Sequence, residues 1–98
     1  MRYDGTMLMT DRLEECQRFY AALLMVEPEG GAGWARFALA DGSWIALHTP
    51  WRPGMTTIGG SQVVLLQVDS LDDEAARLTA LGIVCSEPHE IPGGAVVT

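Results

Sequence analysis

Hydrophobic and polar positions in this chain form two runs of the same kind. From Tyr3 to Thr10 they alternate, with Met7 and Met9 on one side and Thr6, Leu8 and Thr10 on the other, which predicts a strand. From Asp11 to Val26 the period lengthens. Leu13, Cys16, Phe19, Tyr20, Leu23 and Leu24 recur three and four residues apart, as on one face of a helix. Asp11 is placed to cap that helix with Glu14 in the capping-box position, and Pro28 stops it. Glu29 to Gly33 reads as a loop by its glycines. Trp34 to Ala40 and Ser43 to Thr49 then alternate as a strand pair about Asp41-Gly42, which predicts a two-residue type I′ turn. In the second of these strands Ile45 and Leu47 face one side, and Trp44, Ala46 and His48 the other.

Pro50 to Gly60, with two prolines and three glycines, reads as a linker. The pattern then begins again. Gln62 to Asp69 is an apolar strand candidate, and Ser70 caps a second helix whose apolar face is Leu71, Ala75, Leu78 and Leu81. Gly82 suits the position just past its end. Ile83 to Glu87 reads as a short strand, Pro88 to Gly94 as a turn, and Ala95 to Thr98 as the start of another strand. The unit of strand, capped helix and strands thus repeats after about 60 residues, and the second copy lacks both the Asp-Gly hairpin and a final strand. The expected organisation is one domain over residues 1–98. Its first module spans residues 1–50, its linker 51–61 and its incomplete second module 62–98.

Composition narrows the partners. The formal net charge of −7 opposes binding to nucleic acid and is compatible with cationic ligands. No apolar run approaches the roughly 20 residues that span a bilayer, so no membrane partner is expected, and a cytoplasmic location is the default. Cys16 and Cys85 read as small apolar residues, because neither belongs to a C-x-x-C. His48 and His89 stand too far apart in sequence for a compact zinc motif.

Three stretches carry a resemblance to a known family. They are D-x-L-x(5)-F-Y from Asp11 to Tyr20, V-D-S-L-D-D-E-A-A-R-L-T-A-L-G from Val68 to Gly82, and P-x-x-x-P-G-G from Pro88 to Gly94. In this order and spacing they resemble the vicinal oxygen chelate superfamily, the glyoxalase, bleomycin resistance and dioxygenase proteins. The resemblance implies an α+β fold of paired βαβββ modules curving into an open barrel, here with the second module short of its last strand. It also implies positions for a divalent metal. The opening position of the first module matches Asp4 and its closing position matches Ala46. The opening position of the second module matches Val63, beside Gln62. Alanine and valine offer no donor atom, so the expectation is a protein without a metal cofactor and without metal-dependent catalysis.

Taking Ala46 as facing inward, the alternation nominates Trp44, His48, Arg36, Thr6, Leu8, Leu65 and Gln67 as ligand-binding residues. Trp44 would stack on a planar ligand, and Arg36 would meet either an anion or Asp4 across the sheet. The favoured reading is a small-molecule binder for a planar or cationic ligand, antibiotic-like molecules among them. The bare edge left by the missing strand predicts a homodimer in which a neighbouring chain covers it, with exchange of modules as one route; the alternative is a longer chain whose C-terminal tail supplies the strand. Two alternatives stand beside it. One is a metal-dependent enzyme drawing on Asp4, His48, Gln62 or Glu87. The other is a domain with a filled interior, Trp44 and Trp34 packed across it, that binds nothing.

Overall fold

The computed structural model describes residues 1–55, 57 and 63–98. Gln62, at the head of the expected second-module strand, lies outside the described residues. The chain divides into two compact units, Met1–Gln62 and Val63–Thr98. Both mix helix and strand, so the class is α+β.

The first unit is a complete βαβββ module. It comprises β1 (Gly5–Met9), α1 (Leu13–Leu24), β2 (Glu29–Gly31), β3 (Trp34–Ala38) and β4 (Trp44–His48). The sheet order is β1-β4-β3-β2, in which β4 pairs parallel with β1 and antiparallel with β3. Ala35, Phe37 and Leu47 form the buried core, and Leu8, Leu13, Cys16, Tyr20, Ala21, Leu24 and Val26 pack against it. The expected apolar stripe of α1 is therefore the face that meets the sheet. Phe19 and Leu23 are not among the residues packed on the core. Phe19 is 43% exposed and packs edge-on against Tyr20, ring centroids 5.2 Å apart.

The two ends of α1 differ from expectation. Asp11 does not cap it: the N-cap residue is Arg12, with no side-chain cap bond. Thr10 takes over instead. Its Oγ1 accepts from the Arg12 N–H at 2.9 Å, and its own N–H donates to the His48 carbonyl at 2.9 Å. The helix thus starts from a residue hydrogen-bonded to β4, and a surface carboxylate is not needed. At the other end Met25 adopts the left-handed conformation, φ 55°, where glycine is the usual occupant.

The Asp41-Gly42 hairpin is present with a different turn. Gly42 N–H donates to the Leu39 carbonyl at 3.1 Å, and Leu39 N–H donates to Ser43 at 2.9 Å. Only Gly42 of the pair has positive φ, 89°, so this is a β-turn followed by a glycine bulge and not the type I′ turn. Asp41 Oδ1 accepts from both the backbone N–H (2.9 Å) and the hydroxyl (2.5 Å) of Ser43. Those bonds hold its carboxyl below the usual carboxylate range. Glu29–Gly31, read as loop, is strand β2, because Gly33 at φ 80° turns the chain back and pairs Gly31 with Trp34.

The second unit contains α2 (Leu71–Ala80), β5 (His89–Ile91) and β6 (Gly94–Val96). Ser70 caps α2 as expected, its Oγ accepting from the Asp73 N–H at 3.2 Å. Gly82, at φ 81°, closes it. Gly82 N–H reaches the Thr79 carbonyl and Ile83 N–H reaches the Leu78 carbonyl, each at 3.0 Å, which is a Schellman motif. Leu81, placed on the apolar face by spacing, is 51% exposed beyond the last turn. Two expectations are corrected here. The segment from Pro88 to Gly94 is not all turn, since His89–Ile91 pairs with Gly94–Val96 about Pro92-Gly93. The stretch from Val63 to Val68 forms no strand, and Ile83 to Glu87 is likewise not assigned one. Within this unit the hairpin strands pair only with each other, so Val63–Val68 has no ladder to join.

Phe37 is fully buried among α1 and the sheet, so Phe37→Ala is expected to cost about 3–5 kcal/mol in a denaturant titration. Burial of the Tyr20 phenol, reinforced by the Cys16 thiol beside it, raises its pKa above the ordinary 10.0. Below that value both folded and unfolded chains keep the proton. Above it the unfolded chain ionises first, so stability falls as pH rises towards the folded pKa. Denaturation midpoints followed into the alkaline range should show this loss, and Tyr20→Phe should reduce it.

Candidate functional site

Strand register sorts the sheet into two faces. Ala35, Phe37, Ile45 and Leu47 share the helix-side face, and the β1 residues paired with the last two are Thr6 and Leu8. Thr6 and Leu8, nominated for ligand binding, therefore lie on the helix side, with Leu8 packed on the core. This corrects the expected grouping. Alternation within β1 is as read from sequence, but its phase relative to β4 depends on which residues pair, and Leu8 falls opposite Leu47.

The opposite face carries the chemistry. Across it Met9, His48 and Trp34 lie side by side, then Met7, Ala46, Arg36 and Glu29, then Gly5, Trp44 and Ala38. Trp44, His48 and Arg36 are thus brought to one face, as expected. Met7, Met9 and Trp34 join them there without having been nominated. Met7 is 40% and Trp34 36% exposed, while Ala46 between them is buried.

Trp44 and Trp34 are each seated on a glycine. A Cβ added at Gly5 would come within 2.2 Å of Trp44 Cδ2 and 2.5 Å of Cε2. One added at Gly31 would come within 2.7 Å of Trp34 Nε1. The two seats are at opposite corners, three strand spacings and four residue rises apart, or roughly 20 Å. No small molecule is sandwiched between indoles at that separation, nor do they pack on each other across the first unit.

The polar groups are anchored. Trp44 Nε1–H donates to Asp4 Oδ2 at 3.0 Å. Arg36 pairs with Glu29 at 2.7 Å, not with Asp4, in a surface pair worth about 0–1 kcal/mol. His48 Nδ1 lies 2.5 Å from the Thr49 carbonyl. A carbonyl only accepts, so Nδ1 is the donor of this bond. The Trp51 and His48 rings meet in a T-shaped arrangement, centroids 4.6 Å apart.

Among the described residues no three His, Cys, Asp or Glu side chains gather as metal donors. Asp4 and His48 are five residue rises apart along paired strands, roughly 16 Å, whereas donors on one ion stand within about 5 Å of each other. Asp4 and His48 therefore do not fit a shared divalent ion. Gln62 lies outside the described residues. Val63, 82% exposed, and Glu87 belong to the second unit. So do Leu65, 82% exposed, and Gln67, which borders an open depression with Asp69, Ser70 and Asp73 at the start of α2.

No protein-family model matches the chain, and no curated protein sequence matches it. Solved structures do. One described as a conserved domain protein is 16% identical with a TM-score of 0.80, over 96% of this chain and 83% of that one. An integron cassette protein from the mobile metagenome of V. cholerae is 18% identical with a TM-score of 0.68, over 99% and 82%. The fosfomycin resistance protein FosX from Listeria monocytogenes, complexed with Mn(II) and sulfate ion, is 16% identical with a TM-score of 0.66, over 92% and 71%. FosX is a vicinal oxygen chelate protein, so the fold is the one the sequence motifs implied.

Gly5→Ala is expected to destabilise by about 1–3 kcal/mol, because its Cβ would also meet the Trp44 carbonyl at 2.4 Å and backbone does not yield. Gly94→Ala, with open space around it, is the control and should stay within about 0.5 kcal/mol in the same melting experiment.

Proposed function

We propose that this protein binds a small molecule on the sheet face opposite α1, by stacking and enclosure. The observation that carries this is the register, which brings Trp34, Arg36, Trp44 and His48 to one face with Met7 and Met9. A face that merely turned towards water would be more uniformly polar, and one that merely filled a core would not carry Arg36. The tryptophans supply rigid apolar surface. Arg36 and His48 supply polar groups for orientation. Similarity in fold to fosfomycin resistance proteins supports an antibiotic-like ligand among the candidates. A homodimer that extends this face is part of the same proposal.

The Mn(II) complex of FosX favours a second reading, metal-dependent turnover. The separation of Asp4 from His48 places it second, since another donor set would be needed.

Native mass spectrometry of the protein purified without chelator separates the two. A ligand adduct without a metal increment supports binding, and one divalent ion per chain overturns the preference. In a fluorescence titration against planar aromatic compounds, Trp44→Ala should weaken binding by about tenfold with the fold retained. Equal affinity in the variant would remove Trp44 from the site.

A further inference from the structure

The surroundings of Trp44 are more specific than stacking alone requires. Its indole lies with the ring junction over Gly5, so one ring face is turned to the sheet and the other away from it. Its pyrrole edge is held by Asp4 Oδ2 at 3.0 Å, and its backbone N–H donates to the Asp4 carbonyl at 3.1 Å. The ring is therefore fixed from beneath and from one side. Asp4 itself is exposed and takes part in no ion pair among the described residues, where the pairs are Arg12–Glu15, Arg36–Glu29 and Arg77–Glu74.

An indole face and a carboxylate select the same ligand charge. The negative face of the ring quadrupole attracts a cation, and so does the carboxylate. A neutral ring gains stacking alone, and an anion is disfavoured by both groups. Arg36, two positions from the level of Trp44 on the neighbouring strand, is neutralised by Glu29 and does not reverse this preference.

Resting on the small-molecule reading above, we infer that the Trp44 corner takes a planar, delocalised cation: an aromatic ring carrying a quaternised or amidine-type nitrogen. The ring stacks on the indole with its charge towards Asp4. Asp4 acts twice, as the counter-charge and as the positioning residue that keeps the indole over Gly5.

N-methylquinolinium and quinoline test this, because they share a shape and differ in charge at neutral pH. Both are titrated into the full chain while the indole N–H resonance of Trp44 is followed by NMR. The cation is expected to bind about tenfold more tightly than quinoline and to shift the Trp44 signal. Asp4→Asn keeps an oxygen for the indole N–H and removes the charge. It should bring the cation to the affinity of quinoline in the same variant. Equal affinity of the two probes, with Trp44 responding to both, overturns the charge preference and leaves the small-molecule reading standing. Persistence of the preference in Asp4→Asn overturns the role of Asp4. Silence of the Trp44 signal towards both probes overturns this inference and the stacking site together.

Discussion

Strand β4 is the constraint on which the first unit depends. It is hydrogen-bonded on both sides, parallel to β1 and antiparallel to β3, and all three of its central residues are buried. Without it β1 would have no neighbour. Residue 10 would also lose the His48 carbonyl that places it to start α1. The second unit makes the same point by contrast. It repeats the helix and the glycine-turned hairpin, with Gly33 and Gly93 standing 60 positions apart, but it holds no counterpart of β4. Its Val63–Val68 stretch, which corresponds to β1 in the repeat, accordingly forms no strand.

The two faces of the first sheet divide labour through this strand. Ile45 and Leu47 turn towards the helix side, while Trp44 and His48 turn away from it with Ala46 between them. Because pairing partners share a face, every neighbouring strand inherits the division. That is how Met7, Met9, Trp34 and Arg36 reach the same surface from separate strands. The glycines matter at two points, Gly5 and Gly31, where the absence of a side chain lets an indole lie down on the adjoining strand.

Local signals in the sequence translated faithfully where the physics was local. Ser70 and Gly82 bound α2 because a hydroxyl and a left-handed glycine act within a single turn. The stripe of α1 and the position of the Asp41-Gly42 hairpin were legible for the same reason. Asp11 failed as a cap because a tertiary partner, Thr10 tied to β4, was already in place. Thr6 and Leu8 were assigned to the wrong face because alternation determines parity within a strand and says nothing of the phase between strands. Glu29–Gly31 and His89–Ile91 were hidden by short length and by the glycines and prolines beside them. Pairing across a turn overrode weak intrinsic preference. The motifs that resemble the superfamily's pointed to the fold class, while the ligand depends on side chains that the motifs leave free.

The run from Val63 to Val68 has a consequence for the protein as a colloid. It is rich in β-prone residues, carries no charge, and has Val63 and Leu65 each 82% exposed outside any assigned strand. Such a segment templates association between molecules unless something opposes it. Asp69, Asp72 and Asp73 follow it directly, and the chain as a whole carries a net charge of −7. Mutual repulsion between chains thus stands guard over an exposed, β-prone apolar segment. Acidification or high salt, which weakens that repulsion, takes the guard away before any part of the first unit has to unfold.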